Sequence, residues 1–478
     1  MKPYGALRDF IELLETKQEL VRITKEVDKD WEISTITRKV WMDYKDNDRP
    51  TLLFERVKDY AIPVVMGVYA TQRRVALSLG IDQDNARIAW ERTRDIFVRA
   101  EEEQHKPNLK ERGLCQENVL TGDQVDILSV LPVPTWTPDK DASPYITAGG
   151  TASKDPETGE LSVGNYRLQV KGPRKLGVFP APGQDLFFHW KKASALNQAL
   201  PVAVLIGNNP AILYTQIYKV PYCEYDLAGG LLGGPLDTVK ARTVDIEVPA
   251  DTEIVIEGYM PPNYREEEGP FGEAFGVVSP KRMNPVIEIT ALTFRNNPIY
   301  HAFMSSGVPG TAGSTRAAVK PFWVYNTLKR AGVPEVHDVY MPEAGTGSQI
   351  VFVAIKKQWE FHPRHVMYAL WGSKNNYDCK FVVVTDSDVN VRDDFELMRA
   401  IFMCVEPSRD VVIISQGGSH EIDPTTRSVI AAKMGIDATR PYEYDVSLPS
   451  DEYLQRVSAS WTDYNIHSSR HRTHNPAG

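Results

Sequence analysis

Cysteine is scarce in this chain. The four present, Cys115, Cys223, Cys379 and Cys404, are scattered and show no Cys-x-x-Cys spacing. That pattern excludes a dense disulfide framework and points to reduced thiols in a cytoplasmic protein. Long apolar runs are also lacking. No stretch of about 18 apolar residues occurs, so no membrane span is expected. The opening Met1–Glu12 lacks the apolar core of a secretion signal. Positive charge is in deficit, with 54 Lys and Arg against 63 Asp and Glu and a formal net charge of -9. An acidic chain without a basic stripe argues against nucleic acid and anionic membrane surfaces as partners. It does not forbid an anionic substrate, because one local arginine can outweigh a distant charge excess. There is no internal repeat. No Gly-x-Gly-x-x-Gly follows a strand, which sets a dinucleotide-type flavin oxidoreductase aside.

What is present is ordinary globular material, 42% hydrophobic and 24% charged over 478 residues, enough for two or three domains. Residues 1–117 mix helix and strand. Leu7, Phe10, Ile11 and Leu14 recur at helical spacing, Thr51–Phe54 and Ile62–Met66 are short strands, and Asp84–Gln104 is a longer charged helix. Over 118–307 prolines and glycines become frequent. Runs such as Tyr166–Val170, Val202–Ile206, Val244–Val248, Glu253–Ile256 and Val286–Phe294 alternate with turn signals, which predicts a barrel or sandwich of short strands. Residues 308–449 return to α/β texture. Phe381–Val384, a helix over Phe395–Val405 and Val411–Ile414 predict a parallel βαβ unit. Residues 450–478 form a terminal helix and polar tail, placed for an oligomer contact.

Three segments carry candidate chemistry. In Glu266–Glu273, Gly269 and Gly272 flank Pro-Phe and force a sharp turn that can aim Glu268 and Glu273 into one pocket. Two carboxylates held close do not both ionise freely, which suits one of them to donate a proton near neutral pH; the alternative is a solvated acidic loop. In Ser162–Gly172 one strand arginine, Arg167, stands among apolar neighbours. Its planar fork matches a carboxylate, or it pairs across a sheet. In Glu224–Gly230, Glu224 is either a metal ligand or an acidic residue at a helix N-terminus.

Together these segments resemble the UbiD family of reversible decarboxylases. That family shows a Val-Gly-x-Tyr-Arg core, then Glu-Tyr-x-x-Ala-Gly, then Glu-Gly-Pro-Phe-Gly-Glu, and all three occur here in that order. The likeness extends to Leu7–Ile11, Glu26–Asp28, Val248–Ala250 with Ile256–Gly258, Val382–Asp388, Pro407–Asp410 and Ile436–Thr439. It implies an α/β (α+β) fold in three parts: an N-terminal α/β domain, a central split β-barrel that binds flavin, and a C-terminal α/β domain. It implies decarboxylation, or the reverse carboxylation, of an aromatic, heteroaromatic or α,β-unsaturated acid with prenylated FMN as cofactor. The family's Glu-Arg-Glu network maps onto Glu268, Arg167 and Glu273. Arg167 would face the substrate carboxylate, Glu273 would exchange the proton that replaces CO2, and Glu268 would hold Arg167.

In the family a divalent metal, manganese or magnesium, with potassium as a further ion, ties down the cofactor phosphate through Asn, His and Glu. Glu224 matches the Glu. The Asn falls on Ser162, with Asn165 nearby but out of register, and the His falls near Gln184 and Asp185, spacing favouring Asp185. The site is then either rebuilt around Asp185 and Glu224 or lost. Tyr166 belongs to the same cofactor segment, and Lys433 matches a basic residue that meets the phosphate or is a plain surface lysine. His420 follows a strand, where ligand-facing residues gather, and is a substrate-pocket candidate. His362 and His365 frame a helix start at Pro363, and His467, His471 and His474 lie in the polar tail. The implied partners are a flavin prenyltransferase as cofactor supplier and a second copy of the chain, in a homodimer or homohexamer. The altered Ser162 and Asp185 keep open a non-catalytic or auxiliary subunit of a larger carboxylase.

Overall fold

The computed structural model describes residues 3–464 except 46, 47, 219, 421, 427, 443–446 and 448, so His467, His471 and His474 lie outside the described residues. Leu7–Thr16 is a helix, and the four apolar residues spaced along it, Leu7, Phe10, Ile11 and Leu14, are all buried as the 3.6-residue period requires. The strands Leu20–Ile23, Thr51–Phe54 and Val64–Met66 pair in that order and are completed by Tyr300–Ala302. That last strand arrives from the far end of the middle segment and ties it to the N-terminal sheet.

The middle segment is built on a ten-stranded sheet. Its spine is the 13-residue strand Arg282–Phe294, which receives Ile254–Met260, Lys175–Val178, Asn118–Thr121 and Arg265–Glu268 as antiparallel neighbours. On the far side Leu200–Ile206 pairs with Gly150–Lys154, and Leu161–Asn165 closes the order as an edge strand. Val202, Val204, Ile206, Ile254 and Ile256 are fully buried in one cluster, which is the period-2 pattern of a strand face turned to a core. The strand expected over Val244–Val248 begins later, at Glu247, and belongs to a separate three-stranded sheet with Asp237–Lys240 and Asn108–Leu109.

Helix Thr311–Arg330 joins the parts. Its Trp323 stacks on Tyr218 at 4.2 Å and meets Phe97 edge-on at 4.5 Å, while Phe322 stacks on Trp90 at 4.5 Å. Each buried aromatic of this kind contributes about 1.5–3 kcal/mol by removal from water, so the N-terminal helix Ala86–Glu102 and the C-terminal part share one core.

The C-terminal sheet runs Val336–Tyr340, Ile350–Ile355, Phe381–Asp386, Ile430–Ala438, Val411–Gly418. This corrects the expected pairing of Phe381–Val384 with Val411–Ile414. The parallel partners of Phe381–Asp386 are Ile350–Ile355 and Ile430–Ala438, and Val411–Gly418 lies at the edge, antiparallel to the latter. The strand that intervenes buries Lys433, Gly435 and Asp437 and leaves Ile430 exposed, so it carries no apolar alternation to announce itself. The terminal helix Asp451–Ala459 buries none of its residues. Among the described residues no helix is long and apolar enough to cross a membrane, and the four cysteines form no disulfide.

Candidate active site

Arg167 does not sit within a strand. Strand Leu161–Asn165 ends two residues before it and Leu168–Gly172 begins just after it, so Tyr166 and Arg167 occupy the irregular link at the edge of the large sheet. The link is fixed by the Tyr166 hydroxyl, which accepts from the Leu186 amide at 3.3 Å. Glu268 ends strand Arg265–Glu268, and Glu273 follows the short strand Phe271–Gly272. The turn between them is the one the sequence predicts: Gly269 has φ +93°, and a Cβ on Gly272 would stand 2.0 Å from Thr137 Oγ1. Only glycine suits either position.

The turn brings both carboxylates to one guanidinium. Arg167 Nε and Nη2 donate to the two oxygens of Glu268, each at 2.9 Å, and Nη1 donates to Glu273 Oε1. Asn284 Nδ2 donates a further bond to Glu268 at 3.1 Å. All three side chains are buried, at 9%, 1% and 10% exposure for Arg167, Glu268 and Glu273. Phe179 and Phe271 cover the guanidinium with ring centroids at 4.4 and 5.0 Å. Burial alone would lower the Arg167 pKa, but Glu273 and Glu268 outweigh it and hold it above its ordinary value. The solvated acidic loop is thereby set aside, because the guanidinium stands between the carboxylates and offsets their repulsion.

About the same edge strand a second cluster forms. Ser162 Oγ lies 3.2 Å from Asp185 Oδ2 and 3.3 Å from Glu224 Oε1, and the Val163 amide donates to Glu224 Oε2 at 2.9 Å. Asp185 and Glu224 are each the first residue of a helix, Asp185–Ala195 and Glu224–Leu232, where the helix dipole favours a negative charge. Gln184 precedes the first of these and turns its side-chain oxygen back to the Ala181 amide at 2.7 Å. Asn165 ends the edge strand, opposite Gly150. Two carboxylates and a hydroxyl are hard oxygen donors of the kind that hold a divalent cation, so the residues fit a metal-tied phosphate. No group of three or more His, Cys, Asp or Glu side chains placed to hold a metal ion stands here or elsewhere among the described residues.

One residue at this cluster escaped the sequence reading. Lys374 Nζ lies 3.3 Å from Asp185 Oδ1. Lys433 is instead buried in the C-terminal sheet, where desolvation lowers its pKa beside Cys379, Asp378 and Asp423. Arg316 was missed too. Its Nε donates to Thr346 O at 3.0 Å, and although burial lowers its pKa, Asp378 and Glu273 oppose that. No local pattern marks either residue, since each reaches the site only through the docking of the C-terminal part. His420 stands with its ring 6.0 Å from that of Phe275, two residues past Glu273. His362 starts the helix His362–Trp371 and stacks on Trp359 at 4.4 Å. Beside Glu273 opens a cavity of about 310 Å³ whose lining includes Ser34, Arg38, Thr137, Lys140 and Ser306.

With this geometry in view, the class is defined. The chain matches the N-terminal, Rift-related and C-terminal domains of 3-octaprenyl-4-hydroxybenzoate carboxy-lyase over residues 11–90, 107–308 and 316–438, and it belongs to the UbiD family of carboxy-lyases. Among solved structures it is similar to the UbiD-class enzyme HmfF from Pelotomaculum thermopropionicum in complex with FMN, at 32% identity, TM-score 0.82, and 95% and 99% coverage of this chain and that one. An evolved dimeric form of the same enzyme in complex with prFMN matches at 32% identity and TM-score 0.80, covering 94% and 98%. Vanillic acid decarboxylase of Sedimentibacter hydroxybenzoicus in closed form matches at 29% identity and TM-score 0.87, covering 98% and 100%. The mixed α/β, three-part architecture expected from the sequence is the one observed.

Proposed function

We propose that this protein is a prenylated-FMN-dependent decarboxylase, or reversible carboxylase, of an aromatic, heteroaromatic or α,β-unsaturated carboxylic acid. The observation that carries the reading is the single buried guanidinium of Arg167 held between Glu268 and Glu273. When bound, the cofactor supplies the electron sink that loss of CO2 from an unsaturated carbon needs. The protein supplies charge and a proton. Arg167 orients the substrate carboxylate by its planar fork. Glu268 takes two of the guanidinium's donors and fixes its plane. Glu273, which among the described residues is bonded through Nη1 of Arg167, carries the proton to the carbon that CO2 leaves. Ser162, Asp185 and Glu224 would hold a divalent cation, manganese or magnesium, against the cofactor phosphate, and Lys374 adds a cation on the same side. Asn165, Tyr166 and Gln184 would line the cofactor. His420, close to Phe275, would approach the substrate ring.

The test is expression with a flavin prenyltransferase, followed by the absorption spectrum and intact mass of the bound cofactor and a screen of aromatic acids for CO2 release. Prenylated FMN near one per chain with CO2 release supports the reading. The replacement of the family's Asn and His by Ser162 and Asp185 favours one rival, an auxiliary subunit of a larger carboxylase, and absence of any bound flavin would select it. Assembly as a homodimer or homohexamer in the cytoplasm completes the proposal.

A further inference from the structure

The cavity beside Glu273 carries two cations that no acid neutralises. Arg38 and Lys140 line it, and Glu273, already bound to Arg167, is the only carboxylate among its described lining residues. Arg38 donates to the backbone carbonyl of Pro309 and, at 3.2 Å, to that of Val308. Neither acceptor carries a charge. Burial lowers the Arg38 pKa, and no acid among the described residues opposes it. Lys140 has no ion pair among the described residues. Asp141, next to it in the chain, turns its two oxygens instead to the amides of Trp136, Thr137 and Gly272.

The guanidinium is placed by the backbone around it. Arg38 lies on helix Glu32–Asp43 and reaches across Gly307, where a Cβ would stand 2.7 Å from Nη1. The Gly307 amide in turn donates to the carbonyl of Glu273 at 3.1 Å. One glycine thus links the guanidinium to the residue that carries the proton in the proposed reaction. Trp136, Val277 and Met304 supply apolar wall to the same cavity. Its volume of about 310 Å³ falls in the range of roughly 300–1,000 Å³ that small-molecule sites occupy. A neutral donor would tie the helix to residues 308 and 309 equally well. A guanidinium leaves a full positive charge at the cavity, which is costly unless an anion meets it.

We propose that this cavity binds a second carboxylate of the substrate, held by Arg38 with the exposed Lys140 beside it, so that the acid decarboxylated is an aromatic or heteroaromatic dicarboxylate. Two of the five N–H groups of Arg38 are engaged by backbone, which leaves three for a carboxylate. The ring of such a substrate lies along the apolar wall, with Glu273 at the end that loses CO2 and Arg38 at the end that keeps its charge. This inference deepens the decarboxylase reading above and rests on it.

The experiment is a calorimetric titration of protein purified after co-expression with a flavin prenyltransferase. The probes are benzene-1,4-dicarboxylate, benzene-1,3-dicarboxylate, benzoate and bicarbonate. The wild type should bind at least one dicarboxylate about tenfold or more tighter than benzoate, the effect of a charge-assisted bond. Arg38→Met, which keeps bulk without charge, should remove that preference, and Arg38→Lys should keep part of it. Lys140→Met should weaken the preference by a smaller factor that added salt erases, because its charge is exposed. Equal binding of benzoate and both dicarboxylates by the wild type, or a preference that survives in Arg38→Met, overturns the inference and leaves the decarboxylase reading standing. Arg38-dependent binding of bicarbonate with no preference among the aromatic acids overturns it too, by assigning the cations to inorganic carbon. An Arg38-dependent preference in a protein that releases CO2 from no acid supports the carboxylate site and counts against the decarboxylase reading alone. Should Arg38→Met not fold, the wild-type comparison and Lys140→Met decide.

Discussion

Arg167 grips Glu268 with two parallel bonds of 2.9 Å and gives Glu273 only its remaining terminal nitrogen. The two carboxylates are thus unequal although one turn supplies both. Glu268 also accepts from Asn284 and is locked in place. Glu273 is held at a single oxygen and borders the open cavity. A group that must give up and recover a proton needs that looser hold and that access.

The first prediction concerns this looser partner. Glu273→Gln keeps the shape and one acceptor for Arg167 but cannot deliver a proton. Turnover should fall by a factor on the order of 10²–10⁴, while bound cofactor, measured by its absorbance, and thermal stability stay near wild type. Normal turnover would remove Glu273 from the proton-transfer role.

Arg167 tests the electrostatics. Its replacement by alanine strands two carboxylates, one of them 1% exposed, and breaking a buried pair in this way costs about 3–5 kcal/mol. The double variant Arg167→Met with Glu268→Gln removes charge from both sides and should recover most of that loss in denaturant unfolding. Equal destabilisation in single and double variants would contradict the pairing.

The sequence carried much of the site and little of its enclosure. The turn at Gly269–Gly272 was readable because it rests on residues adjacent in the chain, whereas the grouping of Ser162, Asp185 and Glu224, which lie on one strand and two helix starts, came only from the family resemblance. Lys374 and Arg316 were not readable, because they come from positions far along the chain, Lys374 being 189 residues from Asp185, and no local pattern links them to the site. The strand Ile430–Ala438 was missed for a related reason. It buries a lysine and an aspartate, which inverts the pattern by which strands are recognised. Arg167 itself looked like a strand residue, yet it lies in a break between strands, which frees its guanidinium to turn toward Glu268.

The second cluster gives a metal prediction. Asp185→Ala removes one of two carboxylates that face Ser162 and also frees Lys374. Metal content after dialysis and cofactor retained on gel filtration should both drop, by about tenfold or more for a lost charged ligand. Metal content equal to wild type would exclude Asp185 as a ligand.

Asp251 gives a pH prediction away from the site. Burial pushes its carboxyl from the ordinary 3.8 up to about 7, against the opposing pull of its own backbone and of Arg295, and its Oδ1 has no partner among the described residues. A carboxyl with a raised folded-state pKa favours the protonated fold. Its stabilising contribution is complete below the unfolded value near 3.8 and is lost as pH rises through about 7. Asp251→Asn, which stays neutral throughout, should therefore match the wild type only below the unfolded value near 3.8 and gain on it steadily as pH rises from there. At pH 8 it should exceed the wild type by on the order of 1–3 kcal/mol, read as a higher midpoint in urea. A variant that is no more stable than wild type at pH 8 would mean that water or Arg295 keeps the ionised carboxylate solvated, and that its pKa is not raised.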